Sequence, residues 1–516
     1  MNKLKKYSRR DFLQASTAIS TSLMISGCNF LNKVQNKPNL LFIATDQQRA
    51  DTMAVYGNKK IKTPNLNRLA DQSFVFSQSY VTQPRCTPNR NSIMTGLYPH
   101  TTGVKGNNIP LPAEIPCFPE ILDDPDFKTA HMGKWHLGDE VFAQHGFETW
   151  VSTEDGYTDY YSEGKDRNAR SSYHHWLVDK GYKPGANNKF SRGYAASLPI
   201  DHCKPKFLEE QACQFLEKNK NNPFILYMQF LEPHSPYTGP LNSWHHPENI
   251  DLPGNFDNAL GDNDPLLYKL KRENLMQTYK NESDWRALIR KYWGLVSQVD
   301  LSVGAILDKL EKLGLADNTI VVFTSDHGDM MGSHKLVAKG VMYEEAIRIP
   351  FMIRIPFLSS LQTIINRQVS QIDIVPTLLD LMGKKIPDTL EGKSLVPVLN
   401  GKLIPEDYIF IQWNPYEWSE GIYSNLQSVI ENEISENEIK RVRTLSTRTV
   451  IAPDGWKLSL RDNDHSQLFN LNNDPLETTN LFTDHAYKDK ISFLAKKIHE
   501  WQIKHNDQLK LEILQT

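Results

Sequence analysis

The chain has 516 residues, of which 39% are hydrophobic, so it is long enough to bury a large core. Its formal net charge of −3 argues against a nucleic-acid-binding protein, because such proteins present an excess of Lys and Arg to phosphate. Binding of an anionic substrate must therefore depend on a local cluster of cationic groups.

The first 28 residues have the features of a bacterial export signal. A basic stretch ends in SRRDFL, whose twin arginines are Arg9 and Arg10, and a Ser/Thr-rich apolar run too short to cross a bilayer follows. The run ends in ISGC, which resembles a lipobox. We predict twin-arginine export to the cell envelope and lipidation at Cys28, with a periplasmic or outer-membrane lipoprotein attached to the membrane through this lipid only. An ordinary cleaved signal peptide is the alternative, and residues 29–37 are predicted to be a linker.

Two apolar runs of strand length, 39–45 (NLLFIAT) and 319–325 (TIVVFTS), have the same form. Runs that are apolar on both faces are typical of buried parallel strands, and open α/β sheets bind ligands at the carboxyl ends of such strands. Each run is followed by two potential ligands, which are Asp46 and Gln47 after the first and Asp326 and His327 after the second. We therefore expect these four side chains to meet.

Residues 83–96, QPRCTPNRNSIMTG, contain the pattern Cys-x-Pro-x-Arg. Proline is common in a first helical turn, so Cys86 is predicted to begin a helix, with Arg90 one turn later on the same face. Free N–H groups at a helix N-terminus and a nearby guanidinium suit a phosphate-like anion. For the pattern alone, a buried structural cysteine beside a turn proline is the alternative.

Three further segments carry candidate catalytic groups. In HMGKWHLG, Lys134 and His136 would share one face of an extended chain, so that a cation and a proton donor could address one substrate group. The apolar run 224–230 leads into EPHSPY with His234, and KGVMYEE contains Lys339. Each group alone could equally be a surface lysine or a structural histidine.

Alternating strands and helices predict an α/β fold with a doubly wound, mainly parallel sheet. Helical spacing covers 285–313, with Gly314 as a C-cap, and recurs over 374–382. From about residue 403 the pattern changes to short strands and a final amphipathic helix around 491–503, which indicates a smaller α+β subdomain with an antiparallel sheet. The predicted catalytic domain is 38–402, and the C-terminal subdomain is 403–516.

The candidate metal ligands are mostly hard oxygens, which favour Ca²⁺ or Mg²⁺. The imidazole of His327 is more usual on transition metals, so the residues alone leave Mn²⁺ or Zn²⁺ open.

The stretch around Cys86 closely resembles the signature of the type I sulfatases, whose cysteine is oxidised after translation to formylglycine. TDQQR and SDHGD, after the two apolar runs, are similar to the metal-binding segments of that family. HMGKWHLG, EPHSPY, KGVMYEE, LEGKSLVPVLNG and NNDPLETTNL match further family segments. This chain departs from the common pattern at Asn89, where the family has Ser or Ala, and at Gln47, where a second Asp is common.

The resemblance implies an alkaline-phosphatase-like fold and one bound ion, with Ca²⁺ preferred over Mg²⁺ or Mn²⁺. The implied ligands are Asp46, Gln47, Asp326, His327 and Cys86 as formylglycine, and the implied catalytic residues are Cys86, Arg90, Lys134, His136, His234 and Lys339.

These residues imply a mechanism in which a formylglycine hydrate attacks sulfur. Lys134 and Lys339 would stabilise charge on the sulfuryl group, and Arg90 would hold the hydrate. His234, assisted by Lys339, would protonate the leaving alcohol, and His136 would accept the proton whose loss expels sulfate.

The resemblance also implies two partners, a formylglycine-generating maturation enzyme and a sulfated substrate. Aromatic-rich insertions at 157–176 and 244–264 favour a sulfated carbohydrate, either a polysaccharide or its oligosaccharides. Two alternatives remain open. One is a formylglycine-dependent phosphonate monoester or phosphodiester hydrolase, and the other is a non-catalytic lipoprotein that binds sulfated glycans.

Overall fold

The computed structural model describes residues 37–414 and 434–512. The predicted export signal, Cys28 and most of the predicted linker lie outside the described residues, so these predictions stay untested. Within the described ranges, no helix combines the length and the apolar composition needed to cross a membrane.

The described strands form two sheets. In chain order the strands are β1 (Asn39–Asp46), β2 (Phe74–Tyr80), β3 (Lys128–Gly133), β4 (Thr149–Ser152), β5 (Phe224–Pro233), β6 (Thr319–Ser325), β7 (Arg348–Arg354), β8 (Thr363–Ser370), β9 (Ile409–Trp413), β10 (Thr447–Ile451), β11 (Trp456–Arg461) and β12 (Gln467–Asn470). The larger sheet has eight strands in the order β4-β3-β5-β1-β6-β7-β2-β8, and the smaller has four in the order β12-β11-β10-β9.

The larger sheet is mainly parallel, as predicted. Strand β1 pairs in parallel with β5 on one side and with β6 on the other, and antiparallel pairing is confined to the two neighbours of β7. In the second pair, Thr45 is in register with Ser325, so the chain brings Asp46 and Asp326 to one edge of the sheet.

Helices and turns connect these strands. The α-helices are α1 (Pro64–Ala70), α2 (Cys86–Thr95), α3 (Pro99–Thr102), α4 (Phe118–Leu122), α5 (Ser172–Asp179), α6 (Arg192–Ala196), α7 (Lys204–Lys218), α8 (Leu266–Thr278), α9 (Glu282–Lys312), α10 (Glu344–Ile347), α11 (Ile374–Leu381), α12 (Val396–Leu399), α13 (Glu436–Arg443) and α14 (Lys488–Lys504). Short 3₁₀ turns occur at Ala50–Thr52, Ala54–Tyr56, Thr158–Tyr160, Ala186–Asn188, Ile200–His202, Pro247–Asn249, Ala316–Asn318, Ser333–Lys335, Gln371–Asp373 and His485–Tyr487.

Both faces of the larger sheet are buried, which explains the continuous apolar run of β1. Side chains alternate along a strand, and here Phe42 and Ala44 join one core cluster while Leu41 and Ile43 join the other. The helix α9 covers the second face with Val299, Val303 and Ile306, which are fully buried. Each such side chain contributes roughly 2 kcal/mol of burial free energy. The doubly wound arrangement is therefore confirmed.

The smaller sheet is antiparallel and carries α14 on one face, as predicted. Leu494 and Ile498 of α14 pack against Val450, Leu458 and Leu468 of the sheet. The opposite face contributes Ile409, Ile411 and Trp413 to the core of the larger sheet. The two sheets thus share one apolar core, and the division at residue 402 stays a prediction.

Candidate active site

The ends of β1 and β6 place two carboxylates beside each other. The Asp326 N–H donates to the Thr45 carbonyl over 3.0 Å, and the Gln47 N–H donates to Asp326 Oδ1 over 2.9 Å. Gln47 has a φ of +72°, so the chain turns sharply as soon as β1 ends. Asp46 and Asp326 are both fully buried.

Cys86 begins α2, as predicted, and its thiol points at these carboxylates. The Cys86 Sγ lies 3.2 Å from His327 Nε2 and 3.7 Å from Asp46 Oδ1, and the residue is 1% exposed. One ligand atom each from Asp46, Cys86, Asp326 and His327 lies within 4.8 Å of the other three. The predicted meeting of two strand ends and one helix start therefore occurs in the structure.

Arg90 lies one turn along α2, and its guanidinium forms ion pairs with both carboxylates. Its Nη2 donates to Asp46 Oδ2 over 3.1 Å, and its Nε donates to Asp326 Oδ2 over 3.0 Å. Its Nη1 donates to the Lys134 carbonyl over 2.7 Å and to Gln229 Oε1 over 3.1 Å. Each guanidinium nitrogen donates at least one hydrogen bond, so the planar group fixes the distance between the Asp46 and Asp326 carboxylates.

Asn89, the departure from the common family pattern, is also buried and fully bonded. Its Oδ1 accepts from the Thr82 N–H over 2.9 Å, and its Nδ2 donates to Gln371 Oε1 over 2.5 Å and to the Asp326 carbonyl. The amide therefore ties the start of α2 to the segment that carries Asp326.

Lys134 and His136 approach the site by a turn and not by an extended chain, so the predicted geometry was wrong. Strand β3 ends at Gly133, whose φ is +113°, and a Cβ there would lie 2.0 Å from the Gln229 carbonyl oxygen. His136 has a φ of +59°. Lys134 Nζ nevertheless donates to Asp46 Oδ2 over 2.5 Å.

The His136 ring is held by Asn108 and Tyr157. Its Nε2 lies 2.9 Å from Asn108 Oδ1, and its ring centroid is 4.7 Å from that of Tyr157. Because the Asn108 oxygen accepts a hydrogen, Nε2 carries the proton and Nδ1 presents a lone pair. In the described part of the chain this buried Nδ1 has no hydrogen-bond partner.

Lys339 and His234 complete the predicted set, and both are half-buried. Lys339 Nζ donates to Gln47 Oε1, while Gln47 Nε2 donates to Asp329 Oδ2 over 2.5 Å and to the Tyr237 hydroxyl over 2.7 Å. The amide oxygen of Gln47 therefore faces Lys339. His234 Nδ1 lies 2.7 Å from the Ser235 carbonyl, so Nδ1 carries the proton and Nε2 is an acceptor.

The charged groups in this site shift the pKa values of Asp46 and Cys86. Burial raises the pKa of Asp46, but the positive charges of Lys134, Arg90 and Lys339 outweigh burial and hold this pKa well below its ordinary value. Burial and Asp46 raise the pKa of the Cys86 thiol, yet Lys339 and Lys134 bring it to about 7.

The pKa values of both candidate histidines are shifted toward the neutral form. Burial, followed by the charge of Lys134, lowers the pKa of His136 well below its usual range. Burial, followed by the charge of Lys339, does the same for His234. The two rings are therefore neutral near pH 7.

Several residues that position these groups were not predicted from the sequence. Gln229 stands as a polar residue in the apolar run 224–230, and Asp329 follows SDHG, so both gave a signal that was not used. Asn108 gave none, and Tyr157 was noted only as the first residue of an aromatic-rich insertion, because their contacts with His136 depend on distant parts of the chain.

Two small cavities lie beside this cluster. A cavity of about 20 Å³ touches His234, and another of about 10 Å³ touches His136. A cavity of about 720 Å³ lies elsewhere, between α14 and the end of β8. Here the chemistry of the buried cluster, and not cavity size, identifies the candidate site.

Comparisons with known proteins agree with this assignment. The family model described as Sulfatase matches residues 38–384. An ulvan-active sulfatase of Formosa agariphila is 31% identical over 374 residues, which cover 70% of this chain and 64% of that relative. An N-acetylglucosamine-6-O-sulfatase of Bacteroides thetaiotaomicron is 27% identical over 94% of this chain and 90% of its own.

Among solved structures, the phosphonate monoester hydrolase of Agrobacterium radiobacter superposes with a TM-score of 0.71. The alignment covers 91% of this chain and 96% of that chain at 22% identity. This likeness shows that the two proteins share a fold.

Proposed function

This chain belongs to the sulfatase family, within the alkaline phosphatase superfamily, and we propose that it removes sulfate from a sulfated carbohydrate through a formylglycine made from Cys86. The observation that carries the proposal is the buried meeting of Cys86 with Asp46, Asp326 and His327, surrounded by cationic groups. The carbohydrate substrate is supported by relatives named for ulvan and for N-acetylglucosamine 6-sulfate.

The donor set fits one divalent cation. Asp46 and Asp326 supply carboxylate oxygens, and the Cys86 Sγ marks the position that an oxygen of formylglycine would take. His327 Nδ1 lies 2.9 Å from the Gly328 carbonyl, which fixes its proton there and leaves Nε2 to bind metal. Gln47 offers an amide oxygen that accepts from Lys339. This mainly oxygen shell favours Ca²⁺, which when bound would polarise the sulfate group and offset its charge.

The chain's own residues have distinct proposed roles. Lys134 donates to Asp46 and Lys339 donates to Gln47, and both lysines would stabilise negative charge on the sulfuryl oxygens. The aldehyde hydrate at Cys86 supplies one hydroxyl that attacks sulfur and a second whose deprotonation expels sulfate. His136 would accept that proton, because its free Nδ1 is a lone pair in a neutral ring.

His234 needs a proton before it can act as the general acid. In this structure its Nδ1 proton is bonded to the Ser235 carbonyl and its Nε2 is unprotonated. The anionic sulfate group of a bound substrate would raise the pKa of His234 and so favour protonation of Nε2. Lys339 would assist, since both groups adjoin the site.

Sulfate release from paired substrates tests the activity. We expect purified enzyme matured in its host to release sulfate from aryl sulfate and from defined sulfated oligosaccharides, with little hydrolysis of a matched aryl phosphodiester. A preference for the phosphodiester would reassign the chain to the alternative hydrolase activity. Unmodified Cys86 in host-derived protein, measured by mass spectrometry, would support the alternative of non-catalytic glycan binding.

Export and anchoring are part of the same proposal. We propose twin-arginine export to the cell envelope and a lipid on Cys28, both based on residues outside the described ranges. Replacing Arg9 and Arg10 by Lys should leave active enzyme in the cytoplasm, because this route depends on the arginine pair. Undisturbed export of the double variant would refute the assignment.

A further inference from the structure

Arg192 lies beside the candidate active site, and no step of the proposed mechanism uses it. It lines the cavity of about 20 Å³ that also touches His234. Its Nη2 donates to the Tyr157 hydroxyl over 2.7 Å, and the centroid of the Tyr157 ring lies 4.7 Å from that of the His136 ring. Arg192 therefore adjoins both candidate histidines, one through a shared cavity and the other through Tyr157.

Glu154 holds the Arg192 guanidinium in place without neutralising its surroundings. Arg192 Nε donates to Glu154 Oε2 over 2.5 Å, and Lys204 Nζ donates to the other carboxylate oxygen. Two cations thus face one acid. Burial raises the pKa of Glu232, which lines the same cavity, to about 7, so this second acid offsets the excess positive charge only in part.

Part of the Arg192 side chain is open to a ligand. It is 30% exposed, whereas the side chains of Glu154 and Lys204 are only 3% and 6% exposed. Its Nη1 donates no hydrogen bond to a residue that the structure describes, and this nitrogen is accessible to solvent. A guanidinium binds the oxygens of carboxylates and of phosphate-like anions through its fork of N–H groups. Arg192 can therefore contact an anionic group outside the buried cluster.

The reacting sulfate already has two proposed cations, Lys134 and Lys339, and both bond directly to candidate metal ligands. Arg192 makes no such bond, and its Cζ lies 5.8 Å from the centre of the Tyr157 ring. Its charge still acts on the site. Burial is the largest cause of the lowered pKa of His234, and Arg192 is among the cations that lower it further. Arg192 thus suits a second anionic group that is close to the reacting sulfate and separate from it.

We propose that Arg192 is a specificity-determining residue, which binds a second anionic group of the glycan beside the sulfate ester that reacts at Cys86. This group is a carboxylate or another sulfate ester, since both offer the oxygens that a guanidinium binds. The preferred substrate is therefore a glycan that carries a further negative charge on the sulfated sugar or on its neighbour. The inference rests on the proposed function, because it takes the sulfated glycan as given.

Selectivity between matched substrates tests this role. For a carboxylate, the pair is sulfated oligosaccharides of ulvan or heparin before and after reduction of their carboxyl groups. For a second sulfate, it is a disulfated glucosamine and its monosulfated counterpart. The ratio of the two kcat/KM values is measured for mature wild type, Arg192→Gln and Arg192→Lys. The matched control is Lys204→Gln, which also removes a cation from Glu154 but changes a buried side chain. Thermal melting verifies the folding of each variant.

We expect wild type to prefer the more highly charged member of at least one pair, and the pair affected distinguishes a carboxylate from a sulfate. Arg192→Gln should reduce that preference roughly tenfold, as for loss of one hydrogen bond to a charged group. Arg192→Lys should keep an intermediate preference, because it retains the charge but not the planar fork. Lys204→Gln should keep the preference of wild type.

The ratio separates recognition from a purely structural role, because a distorted site would slow both members of a pair alike. An equal preference in wild type and Arg192→Gln, or an equal loss in Lys204→Gln, would show that Arg192 only supports Glu154 and would overturn the proposal. Wild type that hydrolyses an aryl sulfate but prefers neither charged glycan would overturn it as well. Failure to hydrolyse any sulfate ester, aryl sulfate included, would instead refute the proposed function on which the inference rests.

Discussion

The amide of Asn89 provides a quantitative test of how the site is held together. In Asn89→Ala three buried groups would lose their partner, namely the Thr82 N–H, the Asp326 carbonyl and the Gln371 amide oxygen. The Thr82 hydroxyl would keep its bond of 2.8 Å to Ser92 Oγ. At roughly 1 kcal/mol of net stability for each lost bond, Asn89→Ala should lower the free energy of unfolding by about 3 kcal/mol.

Asn91 is a matched control on the same helix. It is as fully buried as Asn89, but its Nδ2 makes one long bond of 3.5 Å, to the Leu97 carbonyl. Asn91→Ala removes the same atoms, so the cost of the cavity is similar and the loss of hydrogen bonding is about 1 kcal/mol or less. The two variants should differ by about 2 kcal/mol, which is roughly a thirtyfold difference in the unfolding equilibrium.

Guanidinium unfolding monitored by tryptophan fluorescence measures both variants under one condition. Asn89→Ser, which introduces one of the two residues common in the family, should have a stability between those of wild type and Asn89→Ala because one hydroxyl can replace only part of the amide. If Asn89→Ala is no less stable than Asn91→Ala, the hydrogen bonds that join α2 to Asp326 make no net contribution to the free energy of unfolding, and this reasoning fails.

Three further outcomes are expected. Cys86→Ser should accumulate as a sulfated enzyme after one turnover, because serine lacks the second hydroxyl, and steady turnover by serine that mass spectrometry finds unconverted would contradict the mechanism. Asp326→Ala should lose both bound Ca²⁺ and activity, whereas Lys339→Ala should retain the metal, measured by calorimetry, and lose turnover. Burial raises the pKa of Glu154, but Arg192 and Lys204 lower it to about 2. Its stabilising effect is therefore complete above about pH 5 and is lost as the pH falls toward 2, so the stability difference between wild type and Glu154→Gln should shrink by about 2 kcal/mol between pH 7 and pH 3. A constant difference would show that the ionised carboxylate is not its source.

The parts of the site that sequence analysis predicted are those encoded locally. The runs before Asp46 and Asp326 are buried at every position and mainly apolar because both faces of the sheet are covered, and hydropathy alone indicates that. The start of α2 at Cys86 follows from a proline two residues later. These short-range signals were sufficient to predict that the candidate metal ligands lie close together.

The parts that were not predicted depend on contacts between distant residues. Arg90 bonds to Gln229, which is 139 residues away, and no local pattern encodes that pairing. The turn after β3 is different, because Gly133 gave a local signal. Its φ of +113° and its close approach to the Gln229 carbonyl require glycine, so the segment with Lys134 cannot continue as a strand.

The burial of Cys86 has a consequence for the timing of its proposed oxidation. Its thiol is covered by groups that include His327, which the ribosome adds 241 residues after Cys86. At about 5–20 residues per second, that interval lasts roughly 12 to 48 seconds. Until β6 has been synthesised and has joined β1, the helix that begins at Cys86 has no complete sheet to pack against, and the thiol is open to another protein. A modifying enzyme that works on the unfolded chain therefore has to act before β6 joins the sheet, and slowing elongation between residues 86 and 327 should lengthen that interval and raise the fraction of chains converted.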